Sequence, residues 1–230
     1  MRKLVFLFVI TVVTSGCSGG IIRPKVEGGI KKALPQYIGP AKEYTVRADG
    51  STTDMLNGLI ERLHIEGWEV QIDPKLTLQY LAVDMQEVRY NTSRELTSVR
   101  ETKLQATVSE SAVNRYIKEA RGGDTDLQVG FQPSSVQVQF LPQVIGVNVP
   151  VSIKGKPVIV GGTKVDFIAD KASVAMVPVP AYVVNKVLDR VNPILDLSLM
   201  KFPVTLTGIS IQKGEVIVSG HADFKPPVKA

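Results

Sequence analysis

The 230-residue chain is poor in the residue types that most often carry chemistry. It has one cysteine and two histidines. A single thiol excludes a disulfide scaffold and a cysteine-rich metal site, and His64 and His221 are too far apart in sequence to suggest a metal pair. Aromatics make up 6% with a single Trp, too few for a sugar-stacking platform. Beyond the N-terminus no apolar run approaches the ~20 residues of a membrane-spanning helix. No Walker loop is present. The excess of positive charge is small, 27 basic against 22 acidic residues. The basic residues are dispersed, without an arginine-rich run or an aromatic-interleaved basic patch, so nucleic acid is not an expected partner. What the chain does have is aliphatic mass. It is 44% hydrophobic and 21% charged, which excludes wholesale disorder and supplies a sizeable core.

The N-terminus reads as an address. Arg2 and Lys3 precede an apolar run from Leu4 to Val13, then Thr14-Ser15-Gly16-Cys17. A positive start, a short apolar stretch and small residues before a cleavage point describe an export signal. Small residues followed directly by the only cysteine resemble a bacterial lipobox, although Thr14 stands where Leu is usual. The expectation is a signal peptide over residues 1–16, a lipidated tether over 17–25 carrying palmitate-type chains on Cys17, and one domain over 26–226. That places the protein in the cell envelope, membrane-anchored on the extracytoplasmic side. Cleavage removes Arg2 and Lys3, so 25 basic residues remain against 22 acidic.

Along the domain, Val26, Ile30, Ala33 and Leu34 share a helical face that Pro35 disturbs near its end. Tyr44, Val46 and Ala48 alternate as a strand, and Thr52 or Thr53 is placed to cap a short helix. Ile60 to Ile72 reads as a strand. Leu76, Leu78 and Tyr80 alternate, then the phase slips to Leu81, Val83 and Met85, as at a β-bulge. Leu104 to Val108 is a strand; Ser109 or Ser111 caps a helix bearing Val113, Tyr116 and Ile117, ended by Gly122-Gly123. Val136 to Phe140, Val147 to Ile153, and the pairs Val165/Phe167 and Val174/Met176 read as strands, with Gly161-Gly162 as a hairpin turn. Pro180 opens a helix whose stripe is Val184, Val187, Leu188, Val191 and Leu195, with Pro193 kinking or ending it. A last hairpin turns at Lys213-Gly214. Hairpin spacing predicts an antiparallel α+β fold, not parallel crossovers.

Several groups only look chemical. Ser219, His221 and Asp223 name a hydrolase triad, but residues i and i+2 of a strand lie ~6.6 Å apart, too far for nucleophile and base. His64 sits among Leu63, Ile65 and Trp68 as a satisfied strand histidine. Glu61, Glu66 and Glu69 read as a solvated face. No catalytic residue, metal ligand or cofactor site is assigned.

Some segments resemble a family. Val46-Arg47-Ala48-Asp49-Gly50, Met55-Leu56-Asn57-Gly58 and Leu63-His64-Ile65 look like the opening of LmeA-like phospholipid-binding domains of bacterial envelopes. The segments Leu104 to Asn114 and Val179 to Asn185, with Asn192-Pro193, resemble the family's strand-then-helix unit containing Asn. Val216 to Gly220 resembles its terminal strand. The resemblance implies a non-enzymatic lipid-binding module, its strongly curved antiparallel sheet of hairpins wrapped around two or three helices as in tubular lipid-binding domains. The expected ligand is a phospholipid or another amphiphile, and the expected membrane contact is lipidated Cys17. Candidate cavity residues are Val138, Phe140, Val149, Val151, Val165, Phe167, Val184, Val187, Leu188 and Val191. The rival expectation is a scaffolding envelope lipoprotein with a closed core and protein partners.

Overall fold

The computed structural model describes residues 21–91, 96–120, 127–141, 143–144, 147–148, 150–174, 177–178, 181–200 and 202–223. In chain order these begin with α1 (Ile22–Tyr37), β1 (Glu43–Asp49), α2 (Thr52–Leu56), β2 (Leu59–Asp73), β3 (Leu76–Tyr90), β4 (Leu96–Ser98) and β5 (Glu101–Ser109). Next come α3 (Glu110–Ala120), β6 (Leu127–Gln132), β7 (Ser135–Phe140), β8 (Gln143–Val144), β9 (Val147–Asn148), β10 (Val151–Val160) and β11 (Lys164–Val174). The chain closes with β12 (Val177–Pro178), α4 (Ala181–Val191), β13 (Leu195–Asp196), a 3-10 turn (Leu197–Leu199), β14 (Val204–Gln212) and β15 (Glu215–Ala222).

Every strand pair is antiparallel, and the fold is a strongly curled half-barrel with few helices. The first sheet runs β1-β2-β3-β5-β15-β14, with β4 beside β3. The second runs β12-β11-β10-β7-β6, with β13 also on β11. β8 and β9 form a separate hairpin. The sheets meet where β14 lies against β6 and β10.

The curl has a local origin in the long β2–β3 hairpin. In β2 the buried positions are Ile60, then Leu63, Ile65 and Gly67, then Val70 and Ile72, so the inward parity changes twice. In β3 they are Leu76 and Leu78, then Leu81 and Val83, then Val88. The paired residues omit Glu69 and Gln79, which face one another, and likewise Glu61 and Glu87. At each place one partner is left-handed, Glu69 with φ 51° and Glu87 with φ 48°. A left-handed residue turns the strand over, and doing so at matched points bends both strands together. The expected phase slip is real but falls at Gln79, before Tyr80 and opposite the left-handed Glu69. Gly67 makes room for the bend: a Cβ there would come within 2.7 Å of the Tyr44 ring.

Several local expectations are corrected. Ser51, not Thr52 or Thr53, caps α2 by accepting from the Asp54 N–H at 3.0 Å. α1 starts at Ile22, before Val26. Leu195 lies beyond the helical stripe, in β13, because α4 ends at Val191, two residues before Pro193. Val147 to Ile153 is divided between β9 and β10. β6 adds a strand to those expected, with Leu127, Val129 and Phe131 buried in alternation with Gln128, Gly130 and Gln132. Of the two caps expected for α3, Ser109 serves as such, accepting from the Ala112 N–H at 3.3 Å. Gly122-Gly123, Met176 and Pro180 lie outside the described residues.

Candidate lipid-binding region

The inner face of the second sheet is built by alternation. Val129 and Phe131 of β6, Val136 and Val138 of β7, Val151 and Ile153 of β10, and Val165 and Phe167 of β11 are all buried. Their outward neighbours are mainly Gln, Ser and Lys, which gives a half-buried sheet its direction. α4 packs on β11, burying Val187 and Val191. α3 fills the space between β6 and the first sheet with Ala112, Val113 and Ile117.

Of the ten cavity candidates, six are buried in this one aliphatic cluster: Val138, Val151, Val165, Phe167, Val187 and Val191. Phe140, Val184 and Leu188 are half-buried and pack against it. Val149 lies outside the described residues, as does Cys17. At about 100° per residue, Val184 and Leu188 flank one side of the buried α4 line and Arg190 the other. The Arg190 guanidinium lies over the Phe140 ring, 5.7 Å from its centroid. α4 is therefore an incompletely covered apolar element with a cation at its border, and Tyr182 near its start is 69% exposed.

Two asparagines hold the helices to this sheet in the same way. The Asn114 carboxamide on α3 accepts from the Val129 N–H at 2.7 Å and donates to the Val129 carbonyl at 2.7 Å. Asn192, just after α4, accepts from the Phe167 N–H at 2.7 Å and donates to the Phe167 carbonyl at 3.0 Å. A carboxamide offers one acceptor and two donors, so it can stand in for a neighbouring strand at one residue. On β6 the mimicry continues, because the Glu110 carboxylate accepts from the Phe131 N–H at 2.8 Å. On β11 it continues as β13 pairing beside Val165. The repeated strand-then-helix unit with Asn was visible in the sequence, but the residue at work in the second copy is Asn192; Asn185 is exposed.

The polar groups elsewhere are satisfied structurally. His64 Nδ1 lies 2.6 Å from the Asp84 carboxylate, and Tyr80 donates to Glu66 at 2.6 Å beside Trp68. Burial first, then the Glu66 bond and charge, push the Tyr80 phenol from 10.0 up to about 12. Tyr44 is buried, donates to the Gly39 carbonyl at 2.8 Å, and is held above the ordinary tyrosine range by that burial. Ser219, His221 and Asp223 are exposed. His221 and Asp223 border a polar groove with Arg100, Glu101 and Thr102, and Ser219 is not among its walls. Among the described residues no cluster of His, Cys, Asp or Glu could hold a metal ion, and no helix is long and apolar enough to cross a membrane.

An antiparallel half-barrel with an aliphatic inner face, closed by helices through backbone-mimicking asparagines, defines a fold organised around apolar burial. The family model for LmeA-like phospholipid-binding proteins matches residues 19–221, and the chain belongs to that family. No curated protein and no solved structure matches it.

Proposed function

We propose that the chain is a bacterial envelope lipoprotein, anchored on the extracytoplasmic side through acylated Cys17, that binds a phospholipid or related amphiphile without catalysing a reaction. The observation that carries this reading is membership of a phospholipid-binding family over nearly the whole domain. The acyl chains lodge between α4 and the inner face of the second sheet, where Val184, Leu188 and Phe140 are half-buried. Arg190, at the border of the same helix, meets the headgroup phosphate. Each buried methylene contributes ~0.8 kcal/mol, so one long acyl chain supplies on the order of 10 kcal/mol before the cost of parting existing contacts.

The test starts with the full chain carrying Cys17→Ser, analysed by native and then denaturing mass spectrometry. A stoichiometric phospholipid released on denaturation is expected. Leu188→Trp, which overfills a half-buried site, is expected to lower uptake of a fluorescent phospholipid at least tenfold with a Tm change of a few degrees. A protein with no copurified lipid and no uptake overturns the reading and leaves a scaffold with a closed core. For the anchor, intact mass of the unsubstituted chain is expected to show loss of residues 1–16 and acylation of Cys17, abolished by Cys17→Ser.

A further inference from the structure

The outward face of α1 is a one-sign surface. The helix carries Arg23, Lys25, Lys31 and Lys32 against a single acid, Glu27. That acid faces inward: its carboxylate accepts from the Ala48 N–H of β1 at 2.9 Å. Arg23 donates to the Gly50 carbonyl at 3.2 Å. Val26, Ile30 and Leu34 are buried against the first sheet. At about 100° per residue, Lys25 and Lys32 then point almost directly away from the core, with Lys31 on the flank. All three are exposed, and none forms a salt bridge among the described residues. Several cations elsewhere around the first sheet are paired: Lys42 with Glu69, Arg62 with Asp49, Arg100 with Glu87 and Lys103 with Glu101.

We infer that this face of α1 docks on an anionic phospholipid bilayer. Its lysines are unopposed, they sit on a helix pinned to the sheet, and the complementary surface is one of dense negative charge. Chain length adds to this. From Cys17 to Ile22 is five residues, a reach of at most about 18 Å. An acylated Cys17 would hold α1 within a helix diameter or two of the headgroups, close to the range over which charge acts in physiological salt. One lipid anchor plus a basic patch is also the pairing that makes membrane attachment durable. The inference draws on the Cys17 anchor proposed above, and its test separates the two.

The full chain with Cys17→Ser, which has no acyl chains, is sedimented with phosphatidylcholine vesicles and with vesicles that also contain phosphatidylglycerol, at low and raised salt. Salt-sensitive binding to the anionic vesicles is expected. Each lysine near such a surface contributes roughly fivefold in affinity, so Lys25→Glu/Lys31→Glu/Lys32→Glu is expected to lower it on the order of a hundredfold or more. Lys25→Gln/Lys31→Gln/Lys32→Gln should fall between that variant and the parent. Lys154→Glu/Lys156→Glu/Lys213→Glu, at exposed lysines elsewhere, should change it by no more than a few fold. A parent without preference for anionic vesicles, an α1 variant that binds like the parent, or a control that falls as far would each overturn the inference. Absence of acylation on Cys17, read from intact mass, would sink the anchor alone and leave the docking result to stand by itself.

Discussion

Asn114 and Asn192 show how single side chains can terminate a sheet. Each occupies the place of a strand residue, serving the N–H and the carbonyl of a buried partner, Val129 or Phe167. Replacing the carboxamide by a carboxylate keeps the shape and removes the donor. Asn114→Asp then sets a negative oxygen against the Val129 carbonyl and is expected to destabilise by about 2–3 kcal/mol, while Asn185→Asp on exposed α4 surface should change stability by less than about 0.5 kcal/mol. Urea denaturation of the two variants checks this. Tyr44 carries a second expectation. Its phenol is neutral in the fold and its folded pKa is raised by burial from 10.0. The contribution is therefore fully present below pH ~10, the unfolded tyrosine value, and is lost as pH rises through the higher folded value. Wild type should lose stability above about pH 10, and Tyr44→Phe should lose less over that range while being about 1 kcal/mol less stable at neutral pH. Equilibrium unfolding across the alkaline range checks both arms.

At the scale of elements, what was legible followed periodicity. β1, β5, β7, α3, the Gly161-Gly162 turn and the Lys213-Gly214 turn follow from alternation, helical stripes and turn residues. The double face change of β2 and β3 was half legible: a slip near Tyr80 shows in β3, one position from where it falls, but a glutamate at positive φ has no sequence signature of its own. Likewise the expected caps were Thr52 or Thr53, and the β-region backbone at Ser51 puts the cap ahead of both. α4 carries a dynamic expectation. Its C-terminal end is fastened by two hydrogen bonds from Asn192 and by buried Val187 and Val191, whereas Ala181 and Tyr182 at its start are exposed. Amide exchange should be faster over 181–184 than over 188–191 by at least tenfold, and Asn192→Ala should narrow that gap. Uniform exchange along α4 would remove the idea that it lifts from one end.

For the whole molecule, the antiparallel α+β class came from hairpin spacing and the curled shape from family resemblance. The division into two sheets did not, since it depends on the long-range pairing of β5 with β15 and of β10 with β7. As for the aliphatic positions, nine of the ten named residues fall in or against the core cluster, which shows them to be packed. Which of them stay half-covered was not legible, because α4 shows the same stripe whether or not a neighbour closes over Val184 and Leu188.

The strand borders have a further consequence for how copies of the chain meet. β1 is guarded by Glu27 of α1, β6 by Asn114 and Glu110 of α3, and β14 by the second sheet, where its Leu206 N–H reaches the Gly162 carbonyl. The segments left beside β3 and β11 are the two- and three-residue strands β4, β12 and β13. Among the described residues, little length of open backbone is offered at these borders on which a second molecule could add a strand. Copies of the chain that collide should then form side-chain contacts that come apart, not a growing β-ribbon.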